Sequence, residues 1–321
     1  RATTILFNLI GTDTNPVRQK LQGEFAAKLA AHSDAISMNP RLFARIKALN
    51  DQLGSLKLDA EQRRLVERTY KRFVRAGALL APEQQARLKV INGELAELGA
   101  RFSEKVLAEV NESAVLVDTE AELAGLSKAQ IAAAAAAAEK KGLKGKYLIA
   151  LLNTTGQPFE AQLENRALRE RLHKASVARG SRGNEHDTTA IVAQVAALRA
   201  ERAQLLGYAT HADFVLEEET AKNQQAVNAM LRQLAPAAVA AARREGAELQ
   251  ALIDKEQAAK GQPSFTLEAW DWAFYSEKVR QAKFNFDESQ LKPYLEITSV
   301  LLLQQLILQL LLTALILLQF A

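Results

Sequence analysis

Residues 59–77, DAEQRRLVERTYKRFVRAG, carry the pattern that decides the fold class. Asp59 and Gln62 have the three-residue spacing of a helix capping box. Behind this cap, side chains of one face recur at intervals of three and four residues, and Gly77 ends the run. The members of that face are Leu65, Val66, Thr69, Tyr70, Phe73 and Val74. We therefore predict a helix with one buried face.

The next segment predicts a second, longer helix. Pro82 stands where a first-turn proline belongs, and a stripe of apolar side chains follows it along about seven turns. That stripe is formed by Leu88, Ile91, Leu95, Leu98, Phe102 and Val106. Because the connection after Gly77 is short, we expect two long antiparallel helices. Ser127 and Gln130 form another candidate capping box, which opens an alanine-rich helix.

Helical periodicity returns further along the chain, so the predicted fold class is mainly α with at most a few short strands. The further helices are expected at 160–179, at 188–206, at 223 to about 257, and from Ser264 or Thr266 through Val279. Pro236 is expected to kink or divide the third of these. Short strands are predicted at residues 147–152 and, as a strand or buried segment, around residues 5–9.

Composition narrows the function classes. The 321 residues can bury at least one large core and could hold two domains. The net charge of +4 arises from 41 basic and 37 acidic residues, and the basic stretch Arg166–Arg182 lacks interleaved aromatic side chains, so we expect no nucleic-acid partner. The absence of cysteine excludes disulfides, cysteine-bound zinc and a thiol nucleophile. It fits a cytoplasmic protein, with the periplasm as the alternative.

The sequence contains no known catalytic motif. The four histidines are His32, His173, His186 and His211, and no two of them form the H-E-x-x-H motif of zinc peptidases. Glu185, His186 and Asp187 are the one tight cluster of histidine with carboxylates. As a metal site it would need ligands from elsewhere, since adjacent side chains point apart, and Asp187 as a helix N-cap is the favoured interpretation. His173 is expected on a helix surface and His211 in a turn.

Two other patterns also favour structural roles. Serine-hydrolase and phosphate-loop motifs are absent from the sequence. The aromatic cluster around Trp270, Asp271 and Trp272 is interpreted as core or interface packing. We accordingly assign no catalytic, cofactor-binding or metal-binding residue.

An ordered set of segments resembles a known family. These segments include NPRLFARI (39–46), LVERTYKRFVRAG (65–77), LKVINGELAEL (88–98), FSEKV (102–106), SRGNEHDT (181–188), LLGY (205–208), WDWAFYSEK (270–278) and FNFDESQLKPYLE (284–296). They resemble the N-terminal part of the thimet oligopeptidase family of zinc metallopeptidases, in its bacterial peptidyl-dipeptidase branch. The resemblance covers nearly all of residues 1–296.

The resemblance implies a clamshell of two helical lobes around a channel that admits short unfolded peptides. It also implies one zinc, held by the two histidines of H-E-x-x-H and a later glutamate, which activates water for peptide hydrolysis. None of these ligands can be placed on a residue of this chain. The resemblance therefore implies a truncated peptidyl-dipeptidase that is inactive alone and has the missing catalytic lobe as a partner.

The last segment, residues 297–321, departs from this pattern. From Val300 it is uncharged and apolar apart from four glutamines and one threonine. It could be a membrane anchor, a buried helix of a truncated product, or an out-of-frame translation of CTG- and CAG-rich DNA. We favour the out-of-frame product and expect no membrane association, because glutamines are costly in lipid and flanking aromatic and basic anchors are missing.

These observations give three expected regions. Residues 1–145 form an N-terminal helical region, 146–296 form the start of the peptidase catalytic region, and 297–321 form the apolar tail. Since residues 1–11 resemble neither a signal peptide nor a natural start, we also expect sequence before Arg1. The alternative function is a non-enzymatic helical module that binds peptides or acts as a scaffold, with the tail as a membrane tether.

Overall fold

The computed structural model describes residues 2–152, 154, 156–284, 291 and 294–319, with side chains for these residues except 2 and 312–319. Twelve α-helices lie within the described ranges, which confirms the mainly α fold class. They are α1 (Ala2–Thr12), α2 (Pro16–Ser37), α3 (Pro40–Asp51), α4 (Ala60–Arg75), α5 (Pro82–Glu112), α6 (Lys128–Lys140), α7 (Arg166–Val177), α8 (Thr189–Leu205), α9 (His211–Leu216), α10 (Gln224–Ala259), α11 (Ala269–Phe284) and α12 (Ile297–Gln319).

Both predicted capping boxes are present. The Asp59 carboxylate accepts a hydrogen bond from the Gln62 backbone N–H at 2.8 Å, and the Gln62 side chain accepts one from the Asp59 N–H at 3.3 Å. Ser127 and Gln130 make the same reciprocal pair at the start of α6. Pro82 is the first residue of α5, as predicted. Two capping boxes and one first-turn proline therefore located these three helix starts correctly.

The packing of the long helices differs from the prediction. α5 packs most extensively against α2 and also against α8, whereas α4 packs against α3. The Phe43 ring of α3 stacks on Tyr70 and Phe73 of α4, with centroids 5.7 and 6.4 Å apart. The expected pairing of α4 with α5 is thus not the main contact of either helix, because partner choice depends on distant segments rather than on the short loop.

The N-terminal segment is helical, so the strand or buried segment predicted around residues 5–9 is wrong. Ile5 in α1 is 61% exposed. A short apolar run does not distinguish strand from helix by periodicity. Similarly, Pro236 lies inside α10 and does not divide it. Much of the segment 284–296 and residues 153 and 155 of the turn after the predicted strand lie outside the described residues.

A two-stranded antiparallel sheet accompanies the helices. β2 (Tyr147–Ile149) lies within the strand predicted at 147–152 and pairs with β1 (Val115–Val117), which was not predicted. Val115 lies opposite Ile149 in the register. Three residues are too few to show the alternation that identifies a strand in sequence.

Two apolar clusters stabilise the part of the molecule that follows α5. The larger cluster joins the sheet to α7 and the segments around it, and its members are Val115, Val117, Leu123, Leu126, Ile149, Leu151, Leu163, Leu168 and Leu172. The smaller cluster joins α10 to α11 through Leu249, Ile253, Phe274 and Tyr275. The larger cluster draws on residues from both sides of position 145, and the boundary expected there stays a prediction.

Candidate functional site

The loop of residues 178–188, between α7 and α8, is organised around one buried carboxylate. Glu109 of α5 is only 1% exposed. Arg182 donates to both of its oxygens, through Nε at 2.7 Å and Nη2 at 2.9 Å. The Asn184 side-chain amide and the Gly180 N–H complete the set at 3.1 and 3.3 Å. The hydrogen bond from Arg182 is the main reason that the pKa of Glu109 is lowered to about 2. All of these donors stabilise the ionised form of the carboxylate.

His186 lies on the next part of the same loop and faces the end of α5. Its Nε2 atom is 2.9 Å from Oε2 of Glu112 and 3.8 Å from Oε1 of Glu185. The imidazole is 14% exposed, whereas the two carboxylates are 56% and 82% exposed. The structure therefore supplies a partner from elsewhere in the chain, Glu112, for the cluster that sequence analysis found at residues 185–187.

Asp187 caps α8, although not as its N-cap residue. That position belongs to Thr188, whose side chain makes no capping hydrogen bond. Oδ1 of Asp187 accepts from the Thr189 N–H at 2.8 Å, and Oδ2 accepts from the Gly183 N–H at 2.8 Å. Hydrogen bonds from Thr189, through its hydroxyl and its N–H, lower the pKa of Asp187. The predicted role is therefore displaced by one residue.

The other histidines occupy separate elements. His32 is exposed on α2. His173 is part-buried on α7, where Nδ1 is 3.9 Å from Oε1 of Glu160 and the ring is tilted 60° against Trp270. His211 begins α9, and burial, followed by Arg202 and Arg199, lowers its pKa. His211 was predicted in a turn, whereas in the structure it is the first residue of a short helix.

A second buried carboxylate fixes the start of α11. Asp271 is fully buried and accepts from Arg169 at 2.8 Å and from both Nε and Nη2 of Arg166. Burial raises the pKa of Asp271, but hydrogen bonds from the two guanidinium groups outweigh it and hold the pKa below its usual value. The Arg169 guanidinium also lies 4.2 Å from the Phe274 ring centroid. The aromatic segment 270–275 is therefore packed against α7, as the core interpretation predicted, although Trp272 remains 37% exposed.

These residues do not fit the zinc site that the resemblance implies. That site needs two histidines from one helix and a later glutamate. The four histidines lie on α2, on α7, in the loop before α8 and at the start of α9, and the cluster at His186 offers a single imidazole. No step of zinc-assisted hydrolysis can be placed on this chain. What the arrangement does is hold helices together through carboxylates paired with guanidinium groups.

Comparison with known proteins shows the relationship. The family model described as "Peptidase family M3" matches residues 159–314. The dipeptidyl carboxypeptidase of Escherichia coli is 42% identical over 301 residues, which is 94% of this chain. This chain belongs to peptidase family M3. The corresponding Salmonella typhimurium protein is 43% identical over the same length. Oligopeptidase A of Haemophilus influenzae is 32% identical over 270 residues, or 83% of this chain.

The chain spans 44% of the length of the two dipeptidyl carboxypeptidases and 39% of the oligopeptidase A. The M3 match runs beyond Glu296 to residue 314, and so includes much of the apolar tail that we expected to fall outside the family. The proposed out-of-frame origin of the tail is not tested by this match and stays a prediction. Among the residues that the structure describes, no helix is both long enough and apolar enough to cross a membrane.

Sequence reasoning found the loop 181–188 and the segment 270–278 but not their partners. Glu109 and Glu112 lie at the end of a long helix, where two glutamates at i and i+3 resemble ordinary solvent-facing residues. In the sequence, Arg166 and Arg169 have no feature that distinguishes them from the rest of the basic stretch 166–182. One feature of the sequence does indicate a partner. Carboxylates in the last turn of a helix interact unfavourably with the helix dipole, so nearby cations are expected to stabilise them.

Proposed function

We propose that this M3 chain is the helical, noncatalytic part of a zinc-dependent peptidyl-dipeptidase that acts on short unfolded peptides. In this proposal the remainder of the enzyme supplies the zinc and the water that attacks the peptide bond. The chain itself does not hydrolyse peptides and has the catalytic lobe as its partner. A cytoplasmic location is part of the same proposal.

One observation carries the proposal. The chain is 42% identical to a dipeptidyl carboxypeptidase along 94% of its length, yet its sequence contains no H-E-x-x-H motif. The described histidines lie on four separate elements, which supports the absence of a two-histidine zinc site in this part of the enzyme. The buried ion pairs at Glu109 and Asp271 support a role as a rigid scaffold, since each joins elements that are far apart in sequence.

The alternative is a helical module that binds peptides or proteins without cutting them. The first half of α10 favours it, because its apolar side chains are not covered by the rest of the described chain. Met230, Leu231 and Leu234 are 52%, 52% and 58% exposed. Apolar surface of this kind commonly marks an interaction site.

Two assays of the chain itself test these candidates, the first for peptide hydrolysis and the second for peptide binding. The chain is incubated with Zn²⁺ and an N-blocked tetrapeptide, and the release of the C-terminal dipeptide is followed by mass spectrometry. The E. coli dipeptidyl carboxypeptidase serves as the positive control. Both candidates predict no release, and release that stops on adding a zinc chelator would contradict both. Fluorescence anisotropy of a labelled short peptide then separates them, because saturable binding by the isolated chain favours the binding module.

A further inference from the structure

We propose that Glu112, Glu185 and His186 form a binding site for a divalent transition-metal ion, represented by Zn²⁺. Their ligand atoms all lie within 4.8 Å of one another. Such an ion would join the end of α5 to the loop that precedes α8. This inference does not depend on the proposed peptidase function, and it departs from our expectation that the chain has no metal ligand.

One distance between the donor atoms matches the spacing of two ligands of a single ion, and a second is slightly longer. Zinc binds histidine nitrogen and carboxylate oxygen at about 2.0–2.2 Å, so two ligands of one ion lie about 2.9 Å apart at a right angle and about 3.4 Å apart at the tetrahedral angle. Nε2 of His186 is 2.9 Å from Oε2 of Glu112 and 3.8 Å from Oε1 of Glu185. The Glu112 and Glu185 side chains are 56% and 82% exposed, so both carboxylates have room to rotate toward an ion bound to Nε2.

The orientation of the imidazole adds a second, independent observation. Nε2 is buried, yet it makes no hydrogen bond within the described part of the chain. It is close enough to Glu112 for an ion pair, but the contact does not have the geometry of a hydrogen bond. A buried imidazole nitrogen without a hydrogen-bond partner costs free energy. A metal ion between the nitrogen and the carboxylates would satisfy it, because the lone pair of a neutral imidazole is a metal ligand.

The electrostatic surroundings also favour a cation. α5 ends at Glu112, carries no basic residue in its last turn, and directs the negative end of its dipole toward this site. Arg182 already neutralises Glu109 one turn earlier. The nearby Lys105 Nζ donates to the backbone carbonyl of Glu185 rather than to its carboxylate. Two carboxylates and a helix C-terminus therefore face one imidazole, and the neighbouring cations are Arg182, which also interacts electrostatically with Glu112, and Lys105.

The loop explains how adjacent residues can share one ion. The Asp187 N–H donates to the Asn184 carbonyl at 3.0 Å, and the His186 N–H donates to the Asn184 side chain at 3.2 Å. This turn brings Glu185 and His186 toward the same point, whereas successive side chains of an extended segment would diverge. The sequence-based objection to a shared site therefore does not apply to this geometry.

The donor set selects the class of ion. An imidazole with two carboxylates suits zinc and neighbouring transition metals, whereas Mg²⁺ prefers oxygen ligands only. The probe is therefore Zn²⁺ itself, with Mg²⁺ as the comparison. Co²⁺ provides a spectroscopic signature, because its visible absorption changes when a nitrogen ligand binds.

The test uses the full chain without a histidine tag. Zn²⁺ binding is measured by competition with a chromophoric chelator, and Co²⁺ binding by visible absorption. We expect one Zn²⁺ per chain, weaker binding of at least about tenfold in His186→Gln and in Glu112→Gln, and no competition by Mg²⁺. Zn²⁺ is also expected to raise the unfolding temperature of the wild type but not that of the two variants.

Matched controls separate a specific site from general effects. His32→Gln and Glu245→Gln remove the same side-chain types from exposed positions and should leave binding unchanged. Unfolding in the presence of EDTA checks that each variant is folded. The proposal is overturned if folded His186→Gln retains wild-type Zn²⁺ affinity, if His32→Gln loses it instead, or if the wild type binds no Zn²⁺. The contact between His186 and Glu112 would then be an ordinary imidazole–carboxylate ion pair.

Discussion

Glu109 and Arg182 form a two-point ion pair that joins the end of α5 to the loop before α8, with donor–acceptor distances of 2.7 and 2.9 Å. The carboxylate is almost completely buried, whereas the guanidinium is about one-third exposed. Two more hydrogen bonds, from Asn184 and Gly180, leave the carboxylate well satisfied. A buried ion pair of this kind stabilises the fold only while every partner is present.

Removing the arginine should therefore destabilise the chain strongly. We expect Arg182→Gln to lower the free energy of unfolding by about 3 kcal/mol, because it leaves a buried carboxylate without its counter-charge. Urea unfolding followed by circular dichroism measures the change. Arg232→Gln, at an exposed position of α10, is the matched control and should have little effect. A loss of less than about 1 kcal/mol in Arg182→Gln would contradict a stabilising role for this pair.

The same pair gives a pH dependence with a defined sign. The pKa of Glu109 is about 2 in the folded chain, below the ordinary value of 4.5. Its ionised form therefore stabilises the fold fully above about pH 4.5, and that stabilisation is lost as the pH falls toward 2. The difference in unfolding free energy between the wild type and Glu109→Gln should be constant above pH 5 and shrink below it. A difference that does not change down to pH 2.5 would be inconsistent with the lowered pKa.

The pairing of Asp271 with two arginines predicts a second sensitive position. Asp271→Asn should lower the unfolding free energy by about 3–5 kcal/mol, because Arg169 is 1% exposed and would keep a buried charge without a counter-ion. Asp51→Asn is the control, because its lysine partner is on the surface. This substitution should not change the unfolding free energy measurably. Thermal unfolding of both variants provides the comparison, and equal midpoints would show that Asp271 is not required.

A glycine next to the larger apolar cluster should not tolerate a side chain. Gly125 has φ +95°, and a Cβ placed there would lie 2.0 Å from the Gln162 carbonyl oxygen. Gly125→Ala is therefore expected to unfold the chain or to lower its stability by several kcal/mol (about 3 or more). Gly142 also has positive φ, but no atom lies within 4 Å of its added Cβ. Gly142→Ala should cost only about 1 kcal/mol, and similar losses in the two variants would contradict the close contact.

Local signals in the sequence were sufficient for helix starts and for the fold class. Asp59, Ser127 and Pro82 each act within one turn of helix, so their effect does not depend on the rest of the chain. The face predicted for α4 was only partly correct, because Leu65 is 67% exposed although Phe73 is buried. The spacing of apolar residues does not specify which neighbouring element covers a helix. In the structure, α3 covers only part of the predicted face.

The candidate site depends on contacts between distant segments, and for that reason sequence reasoning reached only half of it. Asp187 and His186 were identified from their local pattern, and Asp271 from its aromatic neighbours. Glu109, Glu112 and Arg169 were not, because their roles arise only when α5 and α7 pack against other elements. A buried arginine such as Arg169 has the same local sequence pattern as one in a solvated basic stretch.

The most direct test of the central claim is the activity of a chimera. The part of the E. coli dipeptidyl carboxypeptidase that this chain matches is replaced by residues 1–296, and zinc-dependent release of C-terminal dipeptides from a blocked tetrapeptide is measured. If this chain is the helical part of a peptidyl-dipeptidase, the chimera will release dipeptides, and a chelator will stop the reaction. A chimera that unfolds cooperatively and binds zinc like the parent enzyme, yet releases no dipeptide, would contradict the account.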